Sequence, residues 1–213
     1  MRIEIFQDLV CPWCRIGKKN LMDALQNFTA EPVEIHYRAY QLDPYTPAEG
    51  VDFETLMRTK FRADEDKLQA MLQQVTQAGQ ASGLHFDFSK VAKMPNTLKA
   101  HQLIAIAPNE VKKELVDELF KAYFEDGKDI GDVDFLLEVA GRLGMDPQQT
   151  RLRLVAKEGL EGVEDDLEFA SQAGVTGVPF FVVNRKYALT GAQPATTFLQ
   201  ALEQISAESK NEA

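Results

Sequence analysis

The chain has almost no cysteine: two residues in 213, Cys11 and Cys14. A pair so close in sequence cannot staple distant segments, so a structural disulfide framework is excluded. Long apolar runs are missing too. None reaches the roughly 18 residues that a transmembrane helix needs, which leaves a membrane partner without support. Positive charge is the minority, with 23 Lys+Arg against 33 Asp+Glu and a formal net charge of -10. A nucleic-acid site needs a basic face, so a polyanion is an unsuitable partner. The opening residues MRIEIFQD lack the apolar core of a signal peptide, and a cytoplasmic location is the expectation. What remains is ordinary globular composition, 45% hydrophobic and 26% charged.

The two cysteines stand together as Cys11-Pro12-Trp13-Cys14. Such a pair is either half of a metal site or a redox dithiol. Zinc takes four ligands, and the three histidines His36, His85 and His101 lie on separate segments without ligand spacing, so no metal is expected. A redox-active disulfide needs no added cofactor. Arg2–Asp8 alternates as a strand, and Leu21, Ala24, Leu25 and Phe28 recur at helical spacing after the motif. Pro12 suits the first helical position, where the missing N–H costs nothing. Cys11 then sits at the N-cap, facing unpaired N–H groups and the positive end of the helix dipole, which favour a thiolate. Cys11 is therefore the predicted nucleophile and Cys14, one turn inward, the resolving thiol. Trp13 reads as a half-exposed hydrophobic contact for substrate.

A second strand follows, with Val33, Ile35, Tyr37 and Ala39 alternating against polar neighbours. From Asp43-Pro44 to about residue 155 the pattern is helical throughout. Asp52 caps a helix to Phe61. Further helices are predicted over Ala63–Ser82, Thr97–Ala107 behind Asn96, Asn109–Glu125 and Asp132–Leu143, with another starting at Asp146-Pro147. No strand is predicted in this block. Glu161–Ala173 reads as a helix, Phe180–Val183 as a buried strand, and Tyr187–Thr190 as its neighbour across a turn at Asn184-Arg185-Lys186. Pro194 opens a last helix to about Ile205, and the tail SAESKNEA is expected to fray. The fold class is α/β, a βαβ half and a ββα half divided by an all-helical insertion. Residues 1–43 and 156–213 form the discontinuous main domain, and 44–155 the insertion.

Pro179 follows Val178 at the start of the buried strand, where a missing ladder donor is tolerated. A trans bond that simply begins the strand and a cis bond beside Cys11 are both compatible with the sequence. Of the histidines, His101 borders an apolar helix face, His36 lies on a polar strand face, and His85 lies in an aromatic-rich loop that would border a groove. Asp8, three residues before Cys11, could relay protons, though a strand-end carboxylate is usually solvated.

CPWC after a first strand, the helical insertion, and GVPFFVVN followed by LTGAQP resemble the DsbA-like thioredoxin-fold oxidoreductases, and within them the FrnE-like branch. Tyr40-Gln41-Leu42-Asp43-Pro44, Pro95-Asn96-Thr97 and Ala100-His101 share in the resemblance, which covers nearly the whole chain. It implies a thioredoxin-like fold, Pro179 as a cis proline, and Val178 contacting substrate backbone. Pro12, Trp13, Val178, Pro179 and His101 are then the substrate-binding residues, with His101 on an insertion helix facing the site. Arg15 stands where that group often has an aromatic residue, so its substrate preference does not carry over. The implied activity is thiol–disulfide exchange of the oxidoreductase or disulfide-isomerase kind on protein or small-molecule disulfides, with an external thiol as reductant. The alternative is a glutathione-dependent isomerase of the hydroxychromene-carboxylate isomerase or kappa glutathione transferase type, in which serine typically replaces Cys11. A third reading, a module that binds unfolded chains, makes the thiols secondary.

Overall fold

A computed structural model describes residues 1–211. The chain opens with β1 (Arg2–Gln7), α1 (Pro12–Asn27) and β2 (Glu34–Ala39). The insertion region holds β3 (Val51–Asp52), α2 (Phe53–Phe61), α3 (Glu65–Ala81), β4 (Lys93–Met94), α4 (Leu98–Ile106), α5 (Asn109–Phe124), α6 (Val133–Arg142) and α7 (Pro147–Val155). It closes with α8 (Leu160–Gln172), β5 (Phe180–Val183), β6 (Tyr187–Thr190) and α9 (Ala195–Asn211). The four long strands form one mixed sheet in the order β2-β1-β5-β6. β1 runs parallel to β2, pairing Ile5 with Tyr37, and antiparallel to β5, pairing Ile5 with Phe181. This is the thioredoxin-like arrangement expected from the sequence, and it carries the βαβ and ββα halves on one sheet.

β1 is central, and both of its faces are covered. Ile3 and Ile5 pack with Leu21 and Ala24 of α1 and with Phe198 and Leu202 of α9. On the opposite face Phe6 packs with Ala170 of α8 and Val175. Glu4 on that face is buried and bound by Arg38 and Arg2, which answers the charge that burial would otherwise leave unpaired. A third cluster joins Cys11, Cys14 and Ile16 to Leu103, Phe120, Phe124 and other side chains of the insertion. The helix start that carries the two cysteines therefore lies where the sheet meets the helical block.

Helix starts follow the predicted chemistry. Asp52, Asp132 and Asp146 accept from the backbone N–H groups of Thr55, Asp134 and Gln149. Asp64 does the same for Lys67, so α3 begins after it rather than at Ala63. Two expectations fail. The insertion contains a small antiparallel ribbon, Val51 against Met94 and Asp52 against Lys93, too short to show a strand period. The tail helix also continues to Asn211 instead of fraying after Ile205. Ser206 is buried, and Tyr187 donates to Glu208 across 2.8 Å, so the extra turns are anchored to β6. Glu212 and Ala213 of the predicted frayed tail lie outside the described residues.

Candidate active site

Cys11 is the N-cap of α1 in extended conformation, and Pro12 takes the first helical position. The Cys11 carbonyl accepts from the N–H groups of Cys14 (3.0 Å) and Arg15 (3.3 Å), while its own N–H donates to the Asp8 carbonyl at 3.0 Å. Both cysteines are free thiols. Trp13 between them is 37% exposed, whereas Cys14 has no solvent contact at all. Burial pushes the Cys14 thiol well above its ordinary value, and its hydrogen bond and charge interaction with Cys11 push the same way. Burial thus favours the protonated thiol at Cys14.

The second wall of the site comes from the segment that leads into β5. The Val178–Pro179 bond is cis. The Cys11 thiol points at the Val178 carbonyl oxygen, 3.6 Å away. On its other side the Pro179 carbonyl accepts from Gly191 N–H at 2.9 Å, which ties the loop to the end of β6. Gly17, on the first turns of α1, lets Pro179 approach: a β-carbon there would stand 2.7 Å from the proline Cγ.

In front of Cys11 a cavity of about 350 Å³ runs into the insertion. Cys11, Trp13 and Val178 line one end, and Leu42, Met57 and Phe88 are among the mostly apolar side chains of the rest. A larger cavity of about 670 Å³ lies across α2 and α3, but no thiol faces it.

The remaining predicted residues fall in different places. His101 is 4% exposed and does not border the cavity; its Nε2 lies 3.4 Å from Oδ1 of Asp8. Asp8 departs from the expectation of a solvated strand end, being 1% exposed. Its Oδ2 accepts from Leu42 N–H at 2.7 Å, so the chain returning from β2 closes over it. Nothing in the local pattern signals that burial. His85 is exposed and offers only its backbone carbonyl, which accepts from Arg15. His36 is partly buried beside Glu34, far in sequence and role from the thiols. Arg15 turns away from the cavity, pairing with Glu125 and lying over the Phe86 ring. Among the described residues no three His, Cys, Asp or Glu side chains are grouped to hold a metal ion.

The short motifs outside CPWC interlock. Gln41 donates toward Asn96 and Thr97 across 3.4 and 3.5 Å, and Asn96 donates to the Thr46 carbonyl at 2.6 Å while its own Oδ1 caps Leu98. These contacts tie the start of α4 to the segment that follows β2.

Known proteins resemble this chain in sequence and fold. YwbO of Bacillus subtilis (strain 168), described as uncharacterized, is 26% identical over 209 residues, covering 95% of this chain and 96% of that one. A probable DsbA oxidoreductase from Streptomyces coelicolor superposes with a TM-score of 0.89 at 32% identity, over 96% of this chain and 89% of its own. A 2-hydroxychromene-2-carboxylate isomerase shares the fold at 15% identity, with a TM-score of 0.73 over 100% of both chains. The model of the DSBA-like thioredoxin domain matches residues 2–203, nearly all of β1 through α9, and this chain belongs to that family.

Proposed function

We propose that this protein is a thiol–disulfide oxidoreductase whose working pair is Cys11 and Cys14. One observation carries the reading: a free thiol at a helix N-cap, beside the Val178 carbonyl, with a second free thiol buried one turn behind it. The Cys11 thiolate attacks a substrate disulfide, one substrate thiolate leaves, and a mixed disulfide forms. Cys14 then attacks Cys11, the second substrate thiol leaves, and the pair is oxidised. An external thiol, with glutathione as the candidate, reduces it again.

The Val178 backbone and Pro179 hold an extended substrate strand, and Trp13 with Pro12 covers its apolar flank. The chain has no cysteine beyond this pair, as suits a protein of the cytoplasm, where net reduction or isomerisation of disulfides is favoured. Membership of the family supports disulfide substrates in general.

Reduction of insulin disulfides tests the assignment. Cys11→Ser abolishes it, and Cys14→Ser accumulates the mixed disulfide. Unchanged turnover in Cys11→Ser would falsify the assignment. The fold is also that of an isomerase, so the same variant is assayed for glutathione-dependent isomerisation. Retained turnover there favours the isomerase instead.

A further inference from the structure

We propose that the cavity in front of Cys11 selects a class of substrate: a low-molecular-weight disulfide in which the sulfur that Cys11 attacks carries an apolar alkyl or aryl body. The inference rests on the thiol–disulfide reading above and names what that site takes. The cavity ends at the N-cap thiol, so a body that fills it holds its sulfur against Cys11.

The far walls come from two helices whose apolar faces lack protein to pack on. Met57 and Phe61 of α2, and Met71, Leu72 and Val75 of α3, share one face of each helix and line the cavity, and none of the five is fully buried. Along its whole length α2 buries only Phe53, and α3 only Leu68 and Gly79. By contrast, α5 of the same insertion buries Leu115, Val116 and Leu119 among others. An amphipathic helix ordinarily packs its apolar face on the core, and here two such faces meet open space instead. An apolar cavity of roughly 150 Å³ already takes up benzene. This one, at about 350 Å³, has room for an alkyl chain or a substituted ring.

The charged groups that line the cavity are engaged within the protein. Asp8 accepts from Leu42 N–H at 2.7 Å and Asp43 from Tyr45 N–H at 3.2 Å, while Lys60 donates to the Leu42 carbonyl at 3.3 Å. The Thr97 hydroxyl accepts from Gln41. These groups offer little to a ligand that arrives with hydrogen bonds to satisfy. A cysteine within a polypeptide has an amide on either side of its Cα, and stripping such an amide of water without a new partner is costly. A small apolar thiol brings no such groups, so the cavity favours it over a peptide cysteine.

The exchange balances with the two cysteines already assigned. The Cys11 thiolate attacks the sulfur that carries the apolar body, the substrate disulfide breaks, and the other sulfur leaves with the electron pair as a thiolate. The body then occupies the cavity as a mixed disulfide with Cys11. Cys14 gives up its proton and attacks Cys11 Sγ. The bond to the body's sulfur breaks, and the apolar thiolate departs and is protonated. One substrate disulfide is consumed and the Cys11–Cys14 disulfide is formed, so the substrate itself is the oxidant.

Alkyl pyridyl disulfides of increasing chain length test the cavity, because the same absorbing pyridinethione leaves each time Cys11 takes the alkyl sulfur. The second-order rate constant is divided by that of free N-acetylcysteine with the same compound. From methyl to hexyl this ratio rises about fourfold per methylene, the equivalent of ~0.8 kcal/mol for each one buried. A carboxylate or an ammonium at the end of the hexyl chain cancels the rise. Val75→Trp, which fills the cavity, flattens the slope, and Met71→Ala, which enlarges it, extends the rise to longer chains. A wild-type ratio independent of chain length overturns the proposal, as does an unchanged slope in Val75→Trp. Charged chains as fast as hexyl overturn it too, since the site is then open to water. Capped cysteinyl peptides test the competing source: a gain from Cys-Ala to Cys-Leu that matches the alkyl series overturns it in favour of polypeptide side chains. Should Val75→Trp not fold, the wild-type series and Met71→Ala decide. A wild-type protein that reacts with every compound, methyl included, no faster than N-acetylcysteine instead defeats the oxidoreductase reading itself, so the two failures are distinct.

Discussion

Gly17 and Pro179 touch across the site with no room between them. A β-carbon on Gly17 would stand 2.7 Å from the proline Cγ, 3.3 Å from the Ala192 backbone and 3.3 Å from the Phe181 ring. None of these is the free end of a flexible side chain, so relief requires α1 and the Val178–Pro179 segment to separate. Overpacking of this kind costs about 1–3 kcal/mol. Gly17→Ala therefore lowers the free energy of unfolding by that amount, read as a lower urea midpoint. It also slows disulfide reduction, because the Val178 carbonyl moves away from Cys11. A midpoint equal to wild type shows that the segment yields without cost.

The cysteines differ in what they can do as nucleophiles, and alkylation reads the difference. Burial holds Cys14 protonated and out of reach, while Cys11 borders the open cavity. Brief treatment of the reduced protein with iodoacetamide at neutral pH places one adduct, on Cys11, by mass spectrometry. The Cys11→Ser variant takes none until denaturant is added. A Cys14 adduct in the folded Cys11→Ser protein contradicts the division of roles.

Much of this architecture is legible in the sequence because it is local. Pro12 after Cys11, Asp52 before Phe53 and Asp146 before Pro147 each declare a helix start within four residues. The unbroken apolar run Phe180–Val183 and the turn residues after it declare the second half of the sheet. What escapes local reading depends on partners far along the chain. Asp8 is buried because residues 42 and 101 arrive over it. Arg15 carries the charge of a surface residue, yet its partners are the His85 carbonyl and Glu125. The position thus serves the joint between α1 and the insertion, turned away from the cavity in front of Cys11. The β3–β4 ribbon, two residues a side, lies below the length at which any periodicity exists.

Lys18 gives a prediction with a definite sign. Its side chain is 2% exposed, paired with Asp117 and lying 5.7 Å from the Tyr37 ring centre. Burial nevertheless lowers its pKa from the ordinary 10.5, outweighing the opposing attraction of Asp117. The folded protein therefore binds this proton less tightly than the unfolded chain. Between the lowered value and 10.5 the unfolded state holds more protons, so this group's contribution to stability improves as pH rises through that window. At neutral pH, below the window, the full cost of burying the charge is present. Lys18→Met removes that cost and leaves Asp117 half-exposed beside Lys113, with no buried charge stranded. The variant is accordingly as stable as wild type or more stable, by about 0–2 kcal/mol at neutral pH, in line with other replacements of buried ion pairs by apolar side chains. Its advantage shrinks as the pH is raised toward 10.5, which urea titrations of the two proteins at several pH values measure. A variant that loses more than about 2 kcal/mol, with a gap independent of pH, shows instead that the pair with Asp117 outweighs the burial.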